Sequence, residues 1–252
     1  EENALNFVGK RSKNSVLYVT LEPCAHYENF LPCMEKIVQA SIKRVVIACL
    51  DPDKRTNGKA VKFLLERNID VSIGCQETNA MELIEGFTKR LIFKRPFIKT
   101  KIASSLDSKI SLSNGKSKWI TGSNTRKQIH LYRLRSDGLL TGVNTINEDN
   151  PLLNCRLKGL DKFSPYVFIL DSKLKIKISS KILNKKNVSI FTTKFSNNKQ
   201  IKLLREMGID VIVVDHDAGK RVSIKAALKK IYEQNINNLF IEAGSDVNSS
   251  LI

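Results

Sequence analysis

The chain has 252 residues, of which 42% are apolar and 27% charged, a composition typical of a folded globular protein and unlike that of a disordered one. No apolar run approaches the roughly 20 residues needed to cross a bilayer; the longest strand-like run, 45–50, is closed by Arg44 and Asp51, so no membrane partner is expected. The formal charge of +17 admits nucleic acid as a partner, but the lysines are scattered and no dense basic block is interleaved with aromatic stacking platforms.

Residues 16–21 and 44–50 read as buried strands. Between them 32–41 reads as a helix, with Pro32 near its start and Met34, Ile37 and Val38 on one face. Asp51-Pro52-Asp53 and Asn57-Gly58 are loop signals, followed by a helix over 60–68, a strand over 69–74 and one long helix over 78–93. Strands alternating with helices imply a mainly parallel α/β sheet covered on both faces. Lys94-Arg95-Pro96 interrupts the pattern and divides the chain into domains spanning 1–93 and 96–252. Beyond it come a strand over 97–103, a helix over 123–136, strands near 138–143, 166–170, 188–193, 209–214 and 238–242, and helices near 198–207 and 223–234. No internal repeat is visible, so the halves are two different α/β domains.

Five cysteines, an odd number at irregular spacing, do not form a disulfide framework. The opening residues carry no basic segment followed by an apolar one. Both features favour the reducing cytoplasm.

Cys24 and Cys33 are separated by eight residues and follow a strand, the first within Glu22-Pro23-Cys24 and the second opening a helix after Pro32. A zinc ion needs soft ligands gathered by a rigid turn, and this segment offers one. Spacing alone would equally suit two buried apolar residues. Thr-Leu-Glu-Pro-Cys followed by Pro-Cys-Met-Glu resembles the zinc nucleoside and nucleobase deaminases. In those enzymes two thiolates and one imidazole leave a fourth zinc position for an activated water, and a nearby carboxylate moves its proton to the departing amine. The resemblance makes Cys24 and Cys33 metal ligands and Glu1, in Glu1-Glu2-Asn3-Ala4-Leu5, the proton shuttle. It places the ligand histidine just ahead of residue 1 and gives His26 a part in shaping the loop.

The long gap between the cysteines, with Asp51-Pro52-Asp53 and Gly58, is similar to the bifunctional riboflavin-biosynthesis deaminase-reductase family. Ser105-Leu106-Asp107-Ser108-Lys109, Ser117-Lys118-Trp119-Ile120-Thr121-Gly122, Gly142-Val143-Asn144-Thr145, Asp149-Asn150-Pro151-Leu152-Leu153 and Ile241-Glu242-Ala243-Gly244 resemble its reductase half, in the family's order. Departures are few: Ser108, Leu31 and Ala60 stand where the family has glycine, proline and glycine. The resemblance implies a cytidine-deaminase-like three-layer domain, then a dihydrofolate-reductase-like one, with strands still to come after Ile252. It implies two cofactors, Zn2+ and NADPH. Lys101 would lie on the domain's first strand, pointing to the hydride-transfer site. Substrate would be held by Ser117, Arg133, Leu153, Arg156 and Glu242. The cofactor would be held by Ala103, Trp119, by Thr145 and Asp149 in a loop after the 139–143 strand, and by Ser172, Gly244 and Ser245. The expected partner is a phosphorylated pyrimidine ribose, not nucleic acid, and a homo-oligomer is compatible. Two alternatives stay open: a nucleic-acid base deaminase with a basic accessory domain, and a non-catalytic basic binding module.

Overall fold

The structure, a computed structural model, describes residues 1–27, 30–112 and 120–251 and divides into two units, Glu1–Ile92 and Phe93–Ile252. In the first, helix α1 (Glu2–Val8) and a short 3-10 turn precede strand β1 (Val16–Val19), followed by α2 (Cys33–Gln39), β2 (Arg44–Ile47), α3 (Lys59–Leu65), β3 (Asp70–Ile73), α4 (Glu77–Leu83) and α5 (Glu85–Phe93). The strands form a parallel sheet in the order β1-β2-β3, with Leu17 beside Val45 and Val45 beside Val71. Val45, Val46 and Ile47 of the central strand are all buried, as a continuous apolar run covered on both faces must be. Ile37 of α2 and Leu64 of α3 complete the core with Ile42 and Ile69.

Three features of this unit differ from the sequence reading. The strand read as buried over 16–21 ends at Val19 and alternates, with Val16 and Tyr18 exposed. The opening residues, given no element there, form α1, whose Leu5 packs against the core. The single helix expected over 78–93 is two, broken at Ile84 (φ −100°, ψ 11°). Ile84 turns inward with Leu21 onto Ala48, Cys49 and Ala80. Burying that one side chain outweighs an unbroken helical repeat, which local periodicity cannot register.

The second unit contains β4 (Phe97–Thr100), α6 (Ser123–Leu134), β5 (Gly138–Gly142), α7 (Val143–Asp149), β6 (Tyr166–Leu170), β7 (Val188–Thr192), α8 (Asn198–Glu206), β8 (Asp210–Val213), α9 (Ile224–Glu233), β9 (Asn238–Ile241) and α10 (Ser245–Ser249). Its six strands are parallel in the order β4-β9-β5-β6-β7-β8. Alternate side chains feed two cores. Leu139, Val167, Ile169, Ile190 and Phe240 meet Ile146 of α7 and Leu204 of α8, whereas Leu140, Phe168, Phe191 and Ile241 meet Ala227 and Ile231 of α9. The sheet is thus sandwiched between helical layers.

The last strand in sequence, β9, lies between β4 and β5, so the strand order reverses here. In open parallel sheets, ligands bind beyond the carboxyl ends of strands at such a reversal. The residues following β4, β5 and β9 therefore define where to look.

Candidate active sites

In the first unit, Cys24 and Cys33 come together at the start of α2. The Cys33 backbone N–H donates to Cys24 Sγ at 3.1 Å, and the Met34 N–H to the Cys24 carbonyl at 3.3 Å. The chain thus folds back across the eight-residue gap to set one sulfur on the first amide of a helix, an end that favours negative charge. Glu1 caps the start of α1 through its carbonyl, which accepts from Leu5 N–H at 2.9 Å. Burial pushes the Cys33 thiol up to about 12, assisted by the neighbouring Glu1 carboxylate and Cys24. A bound cation would favour the thiolate here, since a coordinating thiol loses its proton. Two sulfur donors beside a carboxylate suit part of a zinc site, although no group of three or more His, Cys, Asp or Glu side chains stands ready to hold a metal among the described residues.

The loop beside these cysteines is held by Glu22, which sequence reasoning did not single out. It is buried, 2% exposed, and its carboxylate accepts the backbone N–H groups of Asp51 (3.3 Å), Gly58 (2.9 Å), Ala60 (3.1 Å) and Val61 (3.4 Å). These include unsatisfied donors at the start of α3, whose own flanking residue, Gly58 at φ 74°, offers no side-chain cap. Thr56, fully buried, faces His26: its Oγ1 lies 3.3 Å from His26 Nδ1 and accepts from Ala25 N–H at 3.4 Å. Burial raises the pKa of Asp51, which accepts from Asp53 N–H at 2.8 Å.

In the second unit, the carboxyl ends of the strands meet at α10. Thr100 donates to Asn248 Oδ1 at 2.8 Å, Lys101 N–H to Ile241 O at 3.0 Å, and Glu242 N–H to Leu140 O at 3.1 Å. Lys101, expected within the first strand, lies one residue past it, continuing its pairing with β9. A Cβ on Gly142 would stand 3.0 Å from Val247 Cγ2, so this glycine lets α10 approach the end of β5. Gly244 precedes α10 in extended conformation and no side chain caps that helix, whose first residue is Ser245.

Thr145 and Asp149 are not in a loop as expected: both lie on α7, Asp149 as its last residue. Ile146 buries against the core and winds the segment into helix, and Asn150 at φ 43° ends it. Ser172 follows β6 by two residues, and its Oγ accepts from Val222 N–H at 2.9 Å. Ala103 is half-buried beyond β4. Ser117 and Trp119 lie outside the described residues.

Arg133 and Glu242 are brought together across 109 residues of sequence. Arg133 Nε and Nη2 donate to the two carboxylate oxygens of Glu242 at 2.6 and 2.9 Å, with both side chains nearly buried, the parallel fork that guanidinium and carboxylate favour. Arg133 Nη1 also donates to Asn154 O at 3.0 Å. Leu153, buried at a left-handed φ of 47°, and Arg156 flank that contact. The Arg156 backbone N–H donates to His130 Nδ1 at 3.2 Å, and its guanidinium to Asn154 Oδ1 at 3.1 Å. Of the expected substrate residues, Arg133, Leu153, Arg156 and Glu242 thus form one cluster, joined by the unforeseen His130. Burial lowers the His130 pKa, helped by the Arg133 and Arg156 charges.

Residues 96–252 match the RibD C-terminal domain model, and residues 1–49 match the cytidine and deoxycytidylate deaminase zinc-binding region. The riboflavin biosynthesis protein RibD of Aquifex aeolicus is 37% identical over 97% of this chain and 67% of its own length. That of Bacillus amyloliquefaciens is 35% identical over 100% of this chain and 67% of its own. The solved structure of Acinetobacter baumannii RibD superposes with a TM-score of 0.85 at 34% identity, covering 98% of this chain and 68% of that one. A Thermotoga maritima diaminohydroxyphosphoribosylaminopyrimidine deaminase/5-amino-6-(5-phosphoribosylamino)uracil reductase gives 0.81 at 30% identity, covering 99% and 67%. The chain belongs to the RibD family, the deaminase-reductases of riboflavin biosynthesis.

Proposed function

We propose that the first unit, a cytidine-deaminase-like domain, hydrolytically deaminates 2,5-diamino-6-(5-phosphoribosylamino)pyrimidin-4-one, and that the second, dihydrofolate-reductase-like in fold, reduces the resulting 5-amino-6-(5-phosphoribosylamino)uracil to its ribityl form. Bound zinc supplies an acidified water to the first step and bound NADPH a hydride to the second. Cys24 and Cys33 would hold the metal, and Glu1 beside them would carry the water's proton to the departing amine. In the second unit Arg133, Leu153, Arg156 and Glu242 orient the substrate, with Lys101 at the reacting end and Ser117 completing the set. Ala103, Trp119, Thr145, Asp149, Ser172, Gly244 and Ser245 line the cofactor's path. The basic surface suits a phosphorylated small molecule in the cytoplasm.

The observation that carries this reading is the Arg133–Glu242 fork, set near the carboxyl end of β9 where the strand order reverses. The test is a pair of variants assayed for both reactions. Cys33→Ala is expected to lose zinc and deamination while keeping reduction. Glu242→Gln is expected to lower reductase kcat/KM about a hundredfold, the effect of ~3 kcal/mol for a hydrogen bond between charged groups, while leaving deamination intact. Equal loss of both activities in either variant would contradict the assignment.

A further inference from the structure

His130 lies three residues before Arg133, one turn away on the same face of α6. Together they clamp the segment that follows α7 by its backbone: His130 Nδ1 accepts the Arg156 N–H at 3.2 Å, and Arg133 Nη1 donates to the Asn154 carbonyl at 3.0 Å. That segment needs holding. Leu153 is a buried, non-glycine residue in left-handed conformation, φ 47°, a state that costs about 1–2 kcal/mol on its own and persists only where surrounding contacts enforce it.

An imidazole nitrogen accepts a hydrogen bond only when it carries no proton. The 3.2 Å contact therefore requires neutral His130 with its proton on Nε2. The charged groups facing it are Arg133 on its own helix, Arg156 on the clamped segment and Glu242 after β9. Burial and the two guanidiniums disfavour protonation and outweigh the Asn154 backbone carbonyl and Glu242, which favour it.

We propose that His130 is a positioning residue of the reductase site: in its neutral form it fixes the 153–156 backbone and so sets the placement of Leu153 and Arg156 toward the substrate's ribose phosphate. This rests on the reductase reading given above. Because the folded pKa of His130 is depressed, the clamp is complete above the ordinary histidine value of about 6.5 and is lost as pH falls through the lower folded value. Acidification then weakens substrate binding before it affects hydride transfer.

The test compares wild type, His130→Asn and His130→Leu, measuring KM for 5-amino-6-(5-phosphoribosylamino)uracil, KM for NADPH, and kcat across the acid range. Asn Oδ1 can take the place of Nδ1 as acceptor and does not titrate. Leucine cannot accept. We expect His130→Leu to raise the substrate KM about tenfold at neutral pH, the worth of ~1.4 kcal/mol for one hydrogen bond, with kcat and the NADPH KM within about twofold. His130→Asn should stay near wild type at neutral pH and lack the wild-type rise in KM on the acid side. The substrate phosphate, with its own pKa near 6, affects all three alike, so the ratio of variant to wild type is the readout. Parallel pH profiles for wild type and His130→Asn, or a fall in kcat with unchanged substrate KM in His130→Leu, would overturn the proposal. Should the wild type not reduce this substrate at all, the reductase reading fails separately, and NMR still decides the clamp. The Arg156 amide resonance should move with the His130 titration, at a pKa below that of a free histidine; an amide indifferent to that titration would overturn the clamp itself.

Discussion

Ser108, the residue that stands where the family has glycine, takes φ 62° in the structure, the left-handed region that a glycine-preferring turn demands. It sits in a tight loop in which Ser108 N–H donates to Ser105 O at 3.0 Å and Ser105 N–H to Lys109 O at 2.9 Å. A glycine here avoids the Cβ penalty at the price of a more flexible unfolded chain. Ser108→Gly is therefore expected to raise the melting temperature of the second unit by about 1–3 °C, on the order of 0.5–1 kcal/mol; calorimetry showing a clear decrease would indicate that the hydroxyl is needed. This position was legible through the resemblance, which implies a glycine there. Other residues were silent for a physical reason: Glu22 acts on amides 29 to 39 positions away, and Arg133 on a carboxylate 109 away. His130 looks like any helical histidine until Arg156 is brought to it. Motif resemblance picked out Arg133 and Glu242 individually, but their pairing required the folded sheet.

Most strands announced themselves. Apolar runs such as 45–47 and 167–169, whose side chains are all buried, fill the centres of the parallel sheets. Helices whose ends are set by tertiary contact did not. α7 contains Asn144, Thr145, Asn147 and Asp149, all poor helix formers, and exists because Ile146 reaches the core. The sheet order was equally hidden, since insertion of β9 between β4 and β5 depends on pairing across more than a hundred residues. At this scale Glu22 gives the sharpest prediction. Its replacement by Ala leaves four backbone donors without their acceptor, three of them leading into or opening α3; at about 1–3 kcal/mol for a buried unsatisfied group, partly offset by entering water, a loss of at least about 3 kcal/mol is expected. Hydrogen exchange should show Gly58, Ala60 and Val61 deprotected first. Unchanged protection at those amides would contradict the capping role, whatever the overall stability.

For the whole molecule, the two units carry separate cores, and each gathers its own polar cluster: Cys24, Cys33 and Glu1 in one, Arg133, Glu242, His130 and Arg156 in the other. Family motifs along the chain pointed to most members of both clusters, whereas their internal geometry was not legible. Ser117 and Trp119 lie outside the described residues. Scattered basic charge suits an anionic small molecule without specifying which, and the choice of a phosphoribosyl pyrimidine rests on the family. The most direct measurement is therefore incubation of the protein with 5-amino-6-(5-phosphoribosylamino)uracil and NADPH, following nucleotide oxidation and the mass of the product together. One NADPH consumed for each molecule that gains two hydrogens at its sugar is the predicted result. No oxidation of NADPH above the substrate-free rate, with the uracil compound recovered unchanged, would contradict the account.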